Sequence, residues 1–506
     1  MNSIVGFDRN GEANDNPSSG GKRLPRHGMK CLIVGAGRAG RTLAKNLKRV
    51  PAFGLVPVGF LDDNPMKRGT NGLPVLGRIA DLPDAVGRSG ADIVIVAIPG
   101  LSPKMFKTVV SSAASEGLAV RYLPSFLAAV ERDARVSDLR HLRVDRLLGR
   151  DELRVVRSRS RSIVEGHRIL VTGAGGSIGS ELCRQLAGFS PRSIHFLDHD
   201  ESNLHRLQME LEGNGLLDRD EIVIADIRDR HRVRQIFRDV RPQVVFHAAA
   251  HKHLPLLERH PCEGVKSNIL GTKNLAEACI EFGVERFILI STDKAADPTS
   301  ILGATKRVAE MVLQTFAGSS TKFASVRFGN VLGSRGSLLS ILREQIETGE
   351  SITVTHPDVT RFFMTTEEAV GLVLEAAAMA DGGETFVLDM GEPVRILDLV
   401  HNLAAELHLD VDDFDIRFTG LRSGEKLHEA LFSHGEERIV TSHPKIWATL
   451  SPAPEPDFAA LLDELTYAAE LNRAADVRRC LLEMLPEYAP SHHEARAMVA
   501  PYPDDF

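Results

Sequence analysis

Short apolar runs alternate with amphipathic stretches along most of the chain, the pattern of buried parallel strands separated by helices. The first run, Lys30-Cys31-Leu32-Ile33-Val34, passes directly into Gly35-Ala36-Gly37-Arg38-Ala39-Gly40 and then into a helical pattern. Leu55 to Leu61 ends at Asp62-Asp63, and Ala91 to Ile98 is closed by Pro99-Gly100, so residues 29–125 are expected to form a small parallel α/β unit. The alternation lapses from Leu127 to Val164, where Arg157-Ser158-Arg159-Ser160-Arg161 reads as a solvated connector spanning 126–164. It resumes at His167 to Thr172 and continues through 165–450 as a second, longer unit. From Phe458 to Met484, apolar positions recur at helical spacing, predicting helices in 451–506 that pack on the second unit or on a neighbouring subunit. The fold class is therefore α/β, with two Rossmann-like, doubly wound parallel-sheet domains in tandem.

The second unit carries the more specific turn. Its first strand runs into Gly173-Ala174-Gly175-Gly176-Ser177-Ile178-Gly179. Glycines at 173, 176 and 179 let the backbone approach a pyrophosphate, which the N–H groups of the next helix then face. Gly173, Gly176, Ser177, Ile178 and Gly179 are thus the expected dinucleotide turn. Asp198 ends the following strand, placed to accept hydrogen bonds from an adenosine ribose and to repel a 2′-phosphate, which favours NAD over NADP. Asp226 and Ile227 suit the adenine edge, and Ala248 and Ala249 close the next strand end. The glycines of the first unit are a lone GxGxxG, which either tighten a turn or hold a nucleotide or nucleotide sugar.

Composition narrows the partners. With 506 residues, 43% hydrophobic and 25% charged, the chain is that of an ordinary globular protein of more than one domain. A formal charge of -7 leaves no footprint for nucleic acid. Five scattered cysteines imply neither a disulfide framework nor a zinc knuckle, which points to a reducing compartment and the cytoplasm. No apolar run reaches the roughly 18 residues needed to span a bilayer, and residues 1–28 read as a disordered leader. His247, His251 and His253 are irregularly spaced and lack a completing cysteine or carboxylate, so no metal site is expected. Lys252 and His253 are read instead as lining the pocket for cofactor and substrate.

The strongest chemical signal is Ser291-Thr292-Asp293-Lys294 at the end of an apolar strand. An acid and a base delivered together beside a nicotinamide suit a reaction that moves protons as well as hydride. The segments His247 to Glu258, Ser291 to Thr299, Gly303 to Arg307, Arg327 to Gly336, Thr355 to Arg361 and Gly420 to Leu427 together resemble one family. They resemble the polysaccharide-biosynthesis (CapD-like) nucleotide-sugar 4,6-dehydratases among the extended short-chain dehydrogenase/reductases.

That resemblance implies several roles. Lys306 fills the lysine slot of the superfamily's Tyr-x-x-x-Lys pair, while Leu302 stands where tyrosine is usual. Dehydratases that retain carbon 5 commonly hold methionine there, so an apolar residue is in keeping. Proton handling falls to Thr292, Asp293 and Lys294. The implied reaction on UDP-N-acetylglucosamine begins with hydride transfer from carbon 4 to NAD. Lys294, its pKa depressed by burial, then removes the carbon 5 proton while protonated Asp293 donates to the leaving carbon 6 hydroxyl. Hydride returns to carbon 6, so NAD stays bound and is regenerated. The carbon 4 hydroxyl proton goes to Asp293 or to a water held by Thr292. Asn330, Arg361 and Arg422 are expected on the substrate diphosphate and Glu425 on the uridine ribose. Analogy implies a homo-oligomer. A nucleotide-sugar 4-epimerase and a non-catalytic nucleotide-sugar sensor are the rival readings.

Overall fold

The structure, a computed structural model, describes residues 29–491 apart from 50–54, 65–68, 70–71, 99–100, 102, 117, 123–139, 142–156, 214, 333–337, 349, 407–413 and 451–453. The expected leader, most of the expected connector and the end of the chain lie outside the described residues.

The first sheet has the order β3 (Val75–Gly77), β2 (Leu55–Leu61), β1 (Met29–Val34), β4 (Ile93–Val96), β5 (Ala119–Tyr122), β6 (Arg140–His141), parallel except for its last strand. Alternation sends Leu32, Val34, Val94 and Val96 to one face and Cys31, Ile33, Ile93 and Ile95 to the other, so both faces are covered. Two glycines of the GxGxxG turn are tightly packed. A Cβ on Gly40 would stand 1.9 Å from the Gly35 carbonyl oxygen, and the turn's own Ala36 N–H donates to Asp62 Oδ2 at 2.7 Å.

The second sheet has nine strands. From one edge these are Ile439–Val440, Ile446–Thr449, Thr385–Leu388, β12 (Lys322–Arg327), β11 (Arg286–Ile290), β10 (Val244–His247), β7 (Arg168–Thr172), β8 (Ser193–Asp198) and β9 (Ile222–Ile224). It is parallel from β9 to Thr385–Leu388, and the two remaining strands are antiparallel. Strand order reverses between β7 and β10, which opens a crevice at their carboxyl ends.

Two segments flanking the second unit pack onto it, the first against expectation and the second as expected. Arg157–Val164 is a helix and not a solvated connector. Ser160, Ile163 and Val164 share one face at i, i+3 and i+4 and are buried, while Arg159 and Arg161 point to solvent. Ser160 Oγ donates to Glu375 Oε1 at 2.5 Å, on the helix Thr366–Met379. The helices Phe458–Glu470 and Ala474–Met484 bury Leu462, Leu465, Val477 and Leu481 against Ile301, Ala304 and Val308 of the helix Ile301–Gln314. They are therefore part of the second unit's core. Among the described residues no helix is long and apolar enough to cross a membrane.

Candidate active site

Two adjoining cavities follow the carboxyl ends of the second sheet. The smaller, of about 200 Å³, is lined by Gly173, Gly176, Asp198, Asp226, Ile227, Ala248 and Ala249. Its glycines are required by space as well as by conformation. Gly173 has φ 66°, and a Cβ there would meet Ala249 N at 2.6 Å; on Gly179 it would meet the Gly173 carbonyl oxygen at 2.0 Å. The helix Ser177–Ala187 is capped by Gly176, which has no side chain to satisfy its first N–H groups. Asp198 fixes the turn through Gly175 N–H at 2.9 Å and Asp200 N–H at 3.0 Å. A concave glycine cradle, a helix N-terminus and a strand-end carboxylate fit a dinucleotide. Asp226 is tied to Arg228, which donates from Nη2 at 2.6 Å and Nε at 2.8 Å.

The larger cavity, of about 510 Å³, shares Gly176, Ala248, Ala250 and His251 with the first. Ser177, Ile178, Gly179, Lys252, His253, Thr292, Lys294, Leu302, Lys306 and Asn330 line it. Burial pushes the Lys306 ammonium down to about 8, against the pull of Glu310. Asp293 is fully buried, and its Oδ1 accepts from Thr292 Oγ1 and from Lys294 Nζ, both at 2.9 Å. Its Oδ2 has no hydrogen-bond partner among the described residues. Lys294 corrects an expectation: its pKa is raised, not depressed. Burial works to lower it, but the carboxylates of Asp293 and Glu429 outweigh burial, and Glu429 Oε1 lies 3.7 Å from Nζ. The resting lysine is an ammonium.

The site stands on a buried charged support. Arg327, fully buried, donates to Glu310 at 2.8 and 2.7 Å and to Glu436 at 2.7 and 3.0 Å. Glu310 also accepts from Ser291 Oγ at 2.6 Å, which anchors the residue before Thr292. A single π-helical turn, Val265–Leu270, brings in Asn268. Its amide oxygen accepts from His251 N–H at 2.9 Å and its amide nitrogen donates to Thr305 Oγ1 at 3.1 Å, which sets the course of the loop that carries Lys252 and His253.

Every residue expected to bind the cofactor lines one of the two cavities. The substrate residues divide. Lys252, His253 and Asn330 line the larger cavity, whereas Arg361, Arg422 and Glu425 line neither. Arg361 Nη2 donates to Glu425 Oε1 at 2.6 Å, so each occupies the other. Arg422 is exposed, and its N–H donates to Glu425 Oε2 at 3.1 Å. His247 is a buried core residue held between Thr172 and Thr272, at 2.7 and 3.0 Å. Sequence reasoning missed Asn268 and Glu429. Glu429 lies two residues past the Gly420 to Leu427 motif, and its position there was the one available signal.

The polysaccharide biosynthesis protein family profile matches residues 169–451, and a CoA-binding domain profile matches 21–124. The chain is 42% identical over 451 residues to the probable polysaccharide biosynthesis protein EpsC of Bacillus subtilis (strain 168), an alignment covering 88% of this chain and 75% of that protein. A UDP-N-acetylglucosamine 4,6-dehydratase (inverting) of Campylobacter jejuni is 34% identical over 294 residues, covering 57% of this chain and 84% of the relative. The X-ray structure of Pen from Bacillus thuringiensis superimposes with a TM-score of 0.53 at 33% identity, covering 57% of this chain and 91% of Pen. Because the profile match takes in the glycine turn, the strand end at Thr292 to Lys294 and the later motifs, and the EpsC alignment covers most of both proteins, the chain belongs to the polysaccharide biosynthesis protein family.

Proposed function

We propose that this chain is an NAD-dependent nucleotide-sugar 4,6-dehydratase acting on UDP-N-acetylglucosamine. One observation carries the reading: Thr292 and Lys294 line the cavity that adjoins the glycine cradle, Asp293 is buried behind them and bonded to both, and the same cavity is lined by the apolar Leu302. Acid and base are thus both supplied by one strand end. The C. jejuni relative, named for this activity, supports the substrate class.

Bound NAD supplies the oxidising and reducing equivalents at carbons 4 and 6. The chain's own groups do the rest. Lys306 holds the nicotinamide ribose, and Asp198 favours a ribose without a 2′-phosphate. A ketone at carbon 4 acidifies the carbon 5 hydrogen, and Lys294 as an amine takes that proton. Asp293 delivers a proton to the carbon 6 hydroxyl, which leaves as water. Asn330 contacts the substrate diphosphate. Arg361 and Arg422 serve it only if Arg361 exchanges Glu425 for substrate, which frees Glu425 for the uridine ribose.

The test is mass spectrometry of UDP-N-acetylglucosamine incubated with the protein in deuterated water. A product lighter by one water, with deuterium at carbon 5, is expected. A product of unchanged mass would instead indicate an epimerase. Lys294→Ala should bind substrate normally and lose turnover by roughly 10²–10⁴-fold; a sensor would keep its function in that variant.

A further inference from the structure

Lys294 has to shed a proton before it can act as a base, and a carboxylate the mechanism has not yet used lies against it. Glu429 has a side chain 2% exposed, with Oε1 3.7 Å from Lys294 Nζ and Oε2 4.0 Å from Lys426 Nζ. Its Oε2 has no hydrogen-bond partner among the described residues. A structural carboxylate buried this deeply is normally tightly bonded, as Glu310 is by Arg327 and Ser291. Asp293 Oδ2 is equally buried and equally unpartnered. Lys294 thus contacts one oxygen of each of two buried carboxyl groups, Asp293 Oδ1 and Glu429 Oε1.

The two carboxyl groups and Lys294 form one buried cluster. The other charged groups facing it are Asp297, Arg361 and Lys426. A proton on Asp293 is the one the carbon 6 hydroxyl needs, which leaves Glu429 as the remaining carboxylate.

We propose that Glu429 accepts the ammonium proton of Lys294 and so converts the lysine to the amine that deprotonates carbon 5. An N–H bond breaks at Nζ and an O–H bond forms on Glu429. The amine then takes the carbon 5 proton. The released C–H electron pair becomes the carbon 5–carbon 6 double bond, and the hydroxyl departs with the Asp293 proton as water. The transfer requires the 3.7 Å contact to close to hydrogen-bond range. Glu429 acts through Lys294 and is a positioning residue. The proposal rests on the dehydratase reading.

Glu429→Gln keeps the shape and removes the acceptor. In single-turnover mixing with UDP-N-acetylglucosamine, this variant should still show the absorbance of reduced nicotinamide, because carbon 4 oxidation does not need Glu429. Water loss and carbon 5 deuterium entry should fall together by about 10- to 100-fold, with KM nearly unchanged. Solvent must then take the lysine proton, so the residual rate should climb with pH where the unsubstituted protein is flat. Glu429→Asp should recover part of the rate. A Glu429→Gln protein with normal rate and pH profile, or a faster one, overturns the proposal. So does joint loss of carbon 4 oxidation and thermal stability, which marks a structural role. If the unsubstituted protein oxidises carbon 4 yet releases no water, the dehydratase reading itself has failed.

Discussion

Lys306 is a cation buried in the core, and replacing it by methionine should reveal what that costs. The side chain is 3% exposed, and burial brings its pKa from 10.5 to about 8. By linkage this corresponds to a penalty of about 3 kcal/mol on the folded state. The penalty is fully present below the folded pKa of about 8. It is relieved as pH rises towards 10.5, because in that window only the unfolded chain keeps the proton. Methionine has similar length and no charge, so nucleotide-free Lys306→Met should be more stable by about 3 kcal/mol at pH 7, or about 6–10 °C in the melting of its domain. The advantage should shrink steadily above pH 8. Lys426, also lowered by burial, and Lys294, raised by its carboxylates, titrate in both proteins, so the difference between the two isolates Lys306. Thermal melts of both proteins from pH 7 to pH 10 provide the measurement, with NAD titrated calorimetrically in parallel to show the affinity lost. A variant no more stable at pH 7, or a gap that stays constant with pH, refutes the reasoning.

Two further outcomes follow from the packing. Gly179→Ala places a methyl group 2.0 Å from the Gly173 carbonyl, so the helix must back away from the turn; NAD affinity should fall at least about tenfold by calorimetry while circular dichroism stays unchanged. Glu310→Leu leaves Arg327 paired only with Glu436 and Ser291 without its acceptor; urea unfolding should show a loss of about 3–5 kcal/mol, and an unchanged midpoint would count against the buried network as a support.

The glycine turn was legible because much of its cause is local: Gly179 faces the Gly173 carbonyl six residues back and Asp198 closes on Gly175, whereas Gly173 itself abuts Ala249 just past β10. The doublet at 293–294 was legible for the same reason. Its protonation was not. Glu429 reaches Lys294 through a loop that sequence spacing does not place, and that carboxylate helps to reverse the expected direction of the lysine pKa. Arg361 and Glu425 were each matched to a ligand, yet opposite charges brought to 2.6 Å satisfy one another. In Arg157–Val164 the arginines dominate the composition, while three small or apolar positions on one face decide where the helix goes.

The nine-stranded sheet also sets a timetable. Its parallel part starts with Arg168–Thr172 but gains Thr385–Leu388, and the antiparallel partner Ile446–Thr449, only after the whole intervening chain has been made. At roughly 5–20 residues per second, a ribosome leaves β12 as an uncovered edge for several seconds or longer. Ser325, buried in the finished sheet, waits there with its backbone N–H open for the Glu384 carbonyl. Until that strand arrives, the nascent chain presents a sticky β edge, and expression yield should depend more on elongation speed through 328–384 and on chaperone supply than on the stability of the completed protein.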